Sequence, residues 1–367
     1  MGERTMPKTR HGGALEDYAE MFGHKPVDFS ANVNPLGMCP AARDAAVAAV
    51  DDAVRYPDPK SRALVAAIAE HDGVPESCVA VGNGAADLIC RLAQALTPRR
   101  ALVLAPTFSE YEDALVLAGC EVVRHELSRE EGFVPTERLL VDITRGIDVV
   151  FVCEPNNPTG LCMGRDLLVR LLNRCQEVGA RLVVDECFNG FLPDPEGSSV
   201  RDLVATSPNL VVLSAFTKLY GMAGLRLGYL MSSDAKLLDK LAACGQSWPV
   251  SCVAQAAGTA ALGDSDWVFR TRELVASERS WLASSLAELG LEVWPGQANY
   301  LMFHSGDHDL YQQLARRGVL VRDCSNYHGL GPGYFRVAVR DRKNNELLVN
   351  AIRAALQERG ASEKGIR

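Results

Sequence analysis

Residues 214–228, SAFTKLYGMAGLRLG, gather a lysine, two hydroxyl residues and an arginine around a glycine-rich turn. Lys218 follows an apolar run directly, so it falls at the end of a strand rather than on a solvated helix face. A primary amine in such a place forms an imine with an aldehyde. Ser214 and Thr217 beside it, and the fixed cation of Arg226, suit an anion such as a phosphate. Lysine, hydroxyls and arginine together therefore point to a phosphate-bearing aldehyde. The alternative for Lys218 taken alone is an ordinary surface lysine, since charged side chains are seldom buried unpaired.

Other segments add to this set. In VVDECFNG, Asp185 closes an apolar run, where a carboxylate is costly unless it has a partner. It is either a cap or structural ion pair, or the partner of a protonated ring nitrogen that keeps the ring able to accept electrons. CEPNNPTG (153–160) is a turn after a strand. It reads as a plain loop, or as the place from which the Asn157 amide meets a phenolate oxygen. VGNGAADLI (81–89) opens a helix at Asn83–Gly84, where free backbone N–H groups favour phosphate, although strand-to-helix turns of this kind are common. PTFSEY puts Phe108 after another apolar run, available either to the core or to the face of a flat cofactor.

These residues need a scaffold that delivers strand ends to one edge. Apolar runs at 101–105, 148–153, 181–185, 209–214 and 225–231 are short and nearly continuous, as strands buried on both faces are. Helical periodicity lies between several of them, at 84–96, 109–118 and 164–178. Alternation of this kind predicts an α/β fold: a mostly parallel sheet between helices, spanning 51–280. Ligands in such sheets bind outside the carboxyl ends of the strands. A long helix over 266–289 leads into a smaller α+β domain at 281–367, which ends in a helix near 343–358. Residues 1–50, with the loop ANVNPLGMCP, form an amino-terminal segment that contributes to the small domain and to the site.

Composition excludes several other classes. The chain has 367 residues, 47% of them hydrophobic and 23% charged, with a net charge of −8. Its basic residues are scattered, so no nucleic-acid or anionic-membrane surface is expected. No apolar run reaches the ~20 residues needed to span a bilayer, and MGERTMPKTRHGG has no signal-peptide core. A cytoplasmic setting is expected. The 11 cysteines contain no CxxC pair; they read as buried thiols rather than disulfides or a metal site.

Taken in order, EPNNPTG, the DE pair, S-x-x-T-K and GLRLGY resemble the class I/II aminotransferases, the fold-type I pyridoxal 5'-phosphate enzymes, over nearly the whole chain. The resemblance implies the PLP-dependent transferase fold, with Lys218 carrying the cofactor as a Schiff base. It implies Asp185 at the pyridine nitrogen, Asn157 at the ring oxygen and Phe108 as the stacking ring. The phosphate falls to Asn83, Gly84, Thr217 and Arg226. Tyr56 of RYPDP would reach the phosphate of a neighbouring subunit, implying a homodimer with shared sites. Arg336 of YFRVAV would grip the substrate's α-carboxylate. Two departures stand out: Phe188 replaces a tyrosine common among relatives, and Ala215 replaces a hydroxyl residue.

Within that family, HGG (11–13), FSANVNPLG (29–37), RYPDP (55–59) and RDCSNYHGLGPGYFRVAVR (322–340) are similar to the branch that decarboxylates phosphothreonine. That branch is itself close to the histidinol-phosphate aminotransferases. The likeness implies a small phosphorylated amino acid as substrate, met by His11, Asn32, Asn157, Arg322 and Arg336. An aminotransferase acting on a phosphorylated substrate is the competing expectation, and a non-catalytic PLP-binding protein is a third.

Overall fold

The computed structural model describes residues 5–365. Residues 1–4 and 366–367, the outer ends of the two expected terminal segments, lie outside the described residues. The elements run α1 (Leu15–Phe22), β1 (Val27–Asp28), α2 (Pro40–Ala48), α3 (Arg62–Asp72), β2 (Val79–Gly82), α4 (Ala85–Leu96), β3 (Arg100–Ala105), α5 (Glu110–Leu117), β4 (Glu121–Glu126) and α6 (Leu139–Asp142). They continue with β5 (Val149–Cys153), α7 (Arg165–Val178), β6 (Arg181–Asp185), α8 (Pro195–Ser198), β7 (Leu210–Ala215), β8 (Gly228–Met231), α9 (Ala235–Ala243), α10 (Cys252–Leu262) and α11 (Ser265–Glu288). Last come β9 (Glu292–Trp294), β10 (Tyr300–His304), α12 (Leu310–Arg316), β11 (Val319–Leu320), β12 (Arg322–Asp323), β13 (Tyr334–Ala338) and α13 (Arg342–Gly365).

The central sheet has seven strands in the order β2-β8-β7-β6-β5-β3-β4. It is parallel except for β8, which runs antiparallel to both its neighbours. Side chains alternate between faces, and each face has its own core. Val150, Val152, Leu182, Val184 and Val212 point toward Leu168, Leu171 and Leu172 of α7. Phe151, Val183, Val211 and Leu213 point the other way, toward Leu88 and Leu92 of α4 and Leu237 and Leu241 of α9. Every residue of β5 is buried, which is why VVFVC carries no alternation in its sequence.

A third core joins both ends of the chain. Tyr18 and Phe29 pack with Phe303, Leu314, Phe335 and Ile352 around the antiparallel sheet β12-β13-β10-β9. The short strand β1 pairs in parallel with β11, aligning Val27 with Val319. Helix α11, capped by the Asp264 carboxylate on the Trp267 N–H at 3.0 Å, contributes to two cores. Its Trp267 and Val275 belong to a sheet core, whereas Leu282 and Leu286 belong to the third. Residue 280, the expected boundary, therefore falls inside one continuous helix. Among the described residues no helix is long and apolar enough to cross a membrane.

Candidate active site

Parallel strands align their ends. Cys153 at the end of β5 is level with Asp185 at the end of β6, and Asp185 with Leu213 of β7. The residues just past these ends, Asn157 and then Thr217 and Lys218, therefore converge at one sheet edge. They line a cavity of about 400 Å³, whose walls also include His11, Asn32, Phe108, Arg226, Arg322 and Arg336.

The Lys218 amine is pushed down from its usual 10.5 to about 8, first by burial and then by the nearby Arg336 and Arg226 cations. Its Nζ lies 5.7 Å from the centre of the Phe188 ring. Asp185 is buried, and both oxygens have donors: the Tyr111 hydroxyl at 2.6 Å and the Cys187 N–H at 2.9 Å. Burial, and then the Asp185 charge, pushes the Tyr111 phenol well up, so it stays protonated and donates.

Arg336 on β13 donates through Nη1 to the Asn157 side-chain oxygen and through Nη2 to the Ser30 carbonyl at 2.8 Å. Its buried Nε has no partner among the described residues, and neither does the buried Oδ1 of Asn32. Opposite Arg336 on the neighbouring strand stands Arg322, its direct register partner. Arg322 is also buried, and its guanidinium donates to the Thr9 carbonyl at 3.0 Å, to the Arg10 and Asp323 carbonyls, and to Asn326 at 2.8 Å. The arginine expected to meet substrate thus also holds the amino-terminal segment.

That segment lies across the mouth. Lys8 pairs with Asp323 at 2.6 Å, Arg10 with Asp113, and His11 Nε2 with Glu110 at 2.9 Å. Gly12 fits because any Cβ there would overlap the Ser30 carbonyl.

The remaining expectations divide. Gly84 has φ +85° and lies against the Arg226 guanidinium, which a Cβ there would meet at 2.7 Å; it stands beside the cavity-lining Arg226 without lining the cavity itself. Asn83 is exposed and does not line the cavity; its backbone N–H is turned to Asp87 at 2.9 Å. Tyr56 is 78% exposed and stacks on Trp248, ring centres 4.3 Å apart, away from its own chain's cavity. Ala215 lines the wall without a hydroxyl.

Ser30, Glu110 and Tyr111 are polar wall residues that the sequence did not single out. Tyr111 stands three residues after Phe108, in the first turn of α5, with its ring edge-on to Phe108 at 5.6 Å; that spacing is the available signal, although it reads first as core. The donor set fits a flat, phosphate-bearing pyridine aldehyde. It offers a lysine of depressed basicity, a held carboxylate, an aromatic ring, and a bare glycine turn against an arginine.

The profile of the aminotransferase class I and II family matches residues 24–352. A threonine-phosphate decarboxylase from Salmonella typhimurium is 38% identical, over 94% of this chain and 96% of its own. A histidinol-phosphate aminotransferase from Symbiobacterium thermophilum is 36% identical, over 95% of each. The crystal structure of L-threonine-O-3-phosphate decarboxylase from Porphyromonas gingivalis superposes with a TM-score of 0.80 at 25% identity, covering 90% of this chain and 99% of that one.

Proposed function

The chain belongs to the aminotransferase class I and II family and is an enzyme that uses pyridoxal 5'-phosphate; from that premise we propose that it decarboxylates L-threonine O-3-phosphate, releasing CO2 and aminopropanol phosphate. One observation carries the choice. Arg322 and Arg336 are direct cross-strand partners that both line the cavity. Like charges so placed destabilise a sheet unless anions accompany them. A substrate with both a carboxylate and a phosphate supplies two.

The bound cofactor supplies an electron sink that makes one bond at the substrate's α-carbon breakable. The protein's residues decide which bond that is. Arg336, fixed by Asn157 and Ser30, has Nε still unpaired for a carboxylate. Arg322 and His11 take the phosphate, and two anchors fix orientation. With the substrate anchored at both ends, the bond so presented would decide the outcome: breaking the bond to the carboxylate releases CO2, whereas breaking the Cα–H bond passes the proton to Lys218 Nζ. Asp185, held by the Tyr111 hydroxyl and the Cys187 N–H, would stand at the cofactor's ring nitrogen and favour its protonated form. Thr217 and Arg226, with the Gly84 turn beside Arg226, would hold the cofactor phosphate, and Phe108 would offer its ring face.

The same proposal includes a homodimer. Val47, Val50, Val54, Tyr56 and Trp248 are exposed apolar side chains of α2, the turn after it, and the loop before α10. Such a patch calls for a partner, and a second copy would bring its Tyr56 toward this cavity. The proposed boundaries are a site-forming segment to residue 50, a cofactor-binding domain over 51–280 and a small domain over 281–367.

Incubation with O-phospho-L-threonine, without any 2-oxo acid, tests the reaction by following CO2 and aminopropanol phosphate. The competing reading, a histidinol-phosphate aminotransferase, rests on the 36% identity with that relative. It prevails if no CO2 appears while amino groups pass from histidinol phosphate to 2-oxoglutarate.

A further inference from the structure

Two carboxylates line the cavity, and they are held differently. Asp185 is enclosed and satisfied by Tyr111 and Cys187. Glu110, the first residue of α5, stands in the wall and faces the amino-terminal segment. A bare carboxylate in the same wall as Arg322 would repel the second anion of the substrate described above.

Glu110 is not bare. His11 Nε2 lies 2.9 Å from its Oε1. The hydrogen bond from His11, with the nearby Arg10 cation, holds the Glu110 carboxyl below the usual carboxylate range. In turn, Glu110 is what fixes the His11 ring. Among the described residues that ring makes no other hydrogen bond, and its further contact is edge-on to Phe108 at 6.1 Å. The segment on either side is also fastened: the Arg10 guanidinium to Asp113 on the same helix, and the Gly13 N–H to Ser30 Oγ at 2.7 Å. With Nε2–H donating to Glu110, Nδ1 is the nitrogen left to a ligand, and it donates to a phosphate oxygen in the imidazolium form.

We propose that Glu110 is a positioning residue for substrate recognition, fixing the His11 imidazole at the cavity mouth so that the imidazole, and not the carboxylate, meets the substrate's distal phosphate. This deepens the phosphorylated-substrate reading and rests on it. It adds that phosphate selectivity depends on a residue that never touches the phosphate.

A double-mutant cycle on the PLP-loaded enzyme tests this, using Glu110→Ala, His11→Ala and the pair. Inorganic phosphate as a competitive inhibitor, and KM and kcat for O-phospho-L-threonine, are the readouts. Glu110→Ala should weaken phosphate inhibition and raise KM about tenfold, the size of coupling expected between contacting residues, with kcat changed less than about twofold. Glu110→Gln keeps an acceptor for His11 and should recover most of the loss. In the His11→Ala background the sign should reverse: removing Glu110 should tighten phosphate, because only its repulsion is left.

An equal loss from Glu110→Ala with and without His11, or tighter phosphate binding on removing Glu110 alone, overturns the proposal. Phosphate inhibition can be read in whichever reaction the enzyme performs. If CO2 release fails but the cycle reverses as expected, the positioning role stands while the decarboxylase reading falls.

Discussion

Asn157 and Arg336, 179 positions apart in the chain, are hydrogen-bonded to each other inside the cavity. The bond ties the loop after β5 to strand β13, so a residue expected at the cofactor and one expected at the substrate form a single unit. Arg336 also reaches the Ser30 carbonyl, which leaves its Nε as the spare donor.

Lysine at position 336 has the charge but not the fork, and cannot serve Asn157, Ser30 and a carboxylate together. Arg336→Lys should therefore lower kcat/KM substantially, and Arg336→Ala should cost about 2–5 kcal/mol of substrate binding, as truncated buried charge pairs do. Steady-state kinetics with phosphothreonine checks this; an unchanged KM in both variants would remove Arg336 from the carboxylate site.

Lys218 should become covalently labelled when the PLP-loaded protein is reduced with borohydride, as peptide mapping would detect. The rate at which cofactor-free protein captures PLP should rise with pH to a half-point near 8, because the neutral amine attacks and Lys218 is lowered to about 8. The sign for stability follows. Between about 8 and the ordinary lysine value the unfolded chain binds the extra proton, so this residue favours the folded state more as pH rises through that window. A capture half-point at the ordinary lysine value, or label on another lysine, contradicts the assignment.

Asp185→Asn keeps the shape but removes the charge that favours a protonated ring nitrogen. Turnover should fall by orders of magnitude, with substrate affinity altered far less. Tyr111→Phe removes the 2.6 Å donor to the same carboxylate and leaves a buried acceptor short of a partner, which costs about 1–3 kcal/mol. Single-turnover measurements on both variants separate these effects; full activity in Asp185→Asn would falsify the ring-nitrogen role.

Tyr56→Phe and Lys218→Ala, each poorly active alone, should partly complement each other when mixed and reassembled. A mixed dimer regains one site in which both residues are native. Sedimentation with activity on the same sample checks the premise, and a fully active monomer contradicts it.

Much of this was legible from the chain. The apolar runs 101–105, 148–153 and 181–185 became β3, β5 and β6 to within a residue, because strands buried on both faces leave an unambiguous apolar block. The helix expected at 266–289 is Ser265–Glu288. The run 225–231 was read too long. Arg226 takes φ 57°, so the chain turns there and the strand begins at Gly228; apolar content does not register a bend. The edge strands β2 and β4 were missed, since β4, EVVRHE, is largely solvated and looks like loop. In the site, lysine, aspartate and asparagine could be read from strand ends. The facing of Arg322 and Arg336 could not, because it depends on the register of β12 with β13. Nor could the pairing of His11 with Glu110, which depends on where the amino-terminal segment comes to rest.

Helix α11 has one further consequence. Its 24 residues form an uninterrupted rod, about 36 Å long at 1.5 Å per residue. One end is embedded with Trp267 and Val275, the other with Leu282 and Leu286. It therefore couples the two cores. A change that shifts the carboxyl-terminal core, to which β13 belongs, would also shift Arg336 relative to Asn157. A change deep in either core, far from the cavity, can thus retune substrate alignment without touching a residue that lines it.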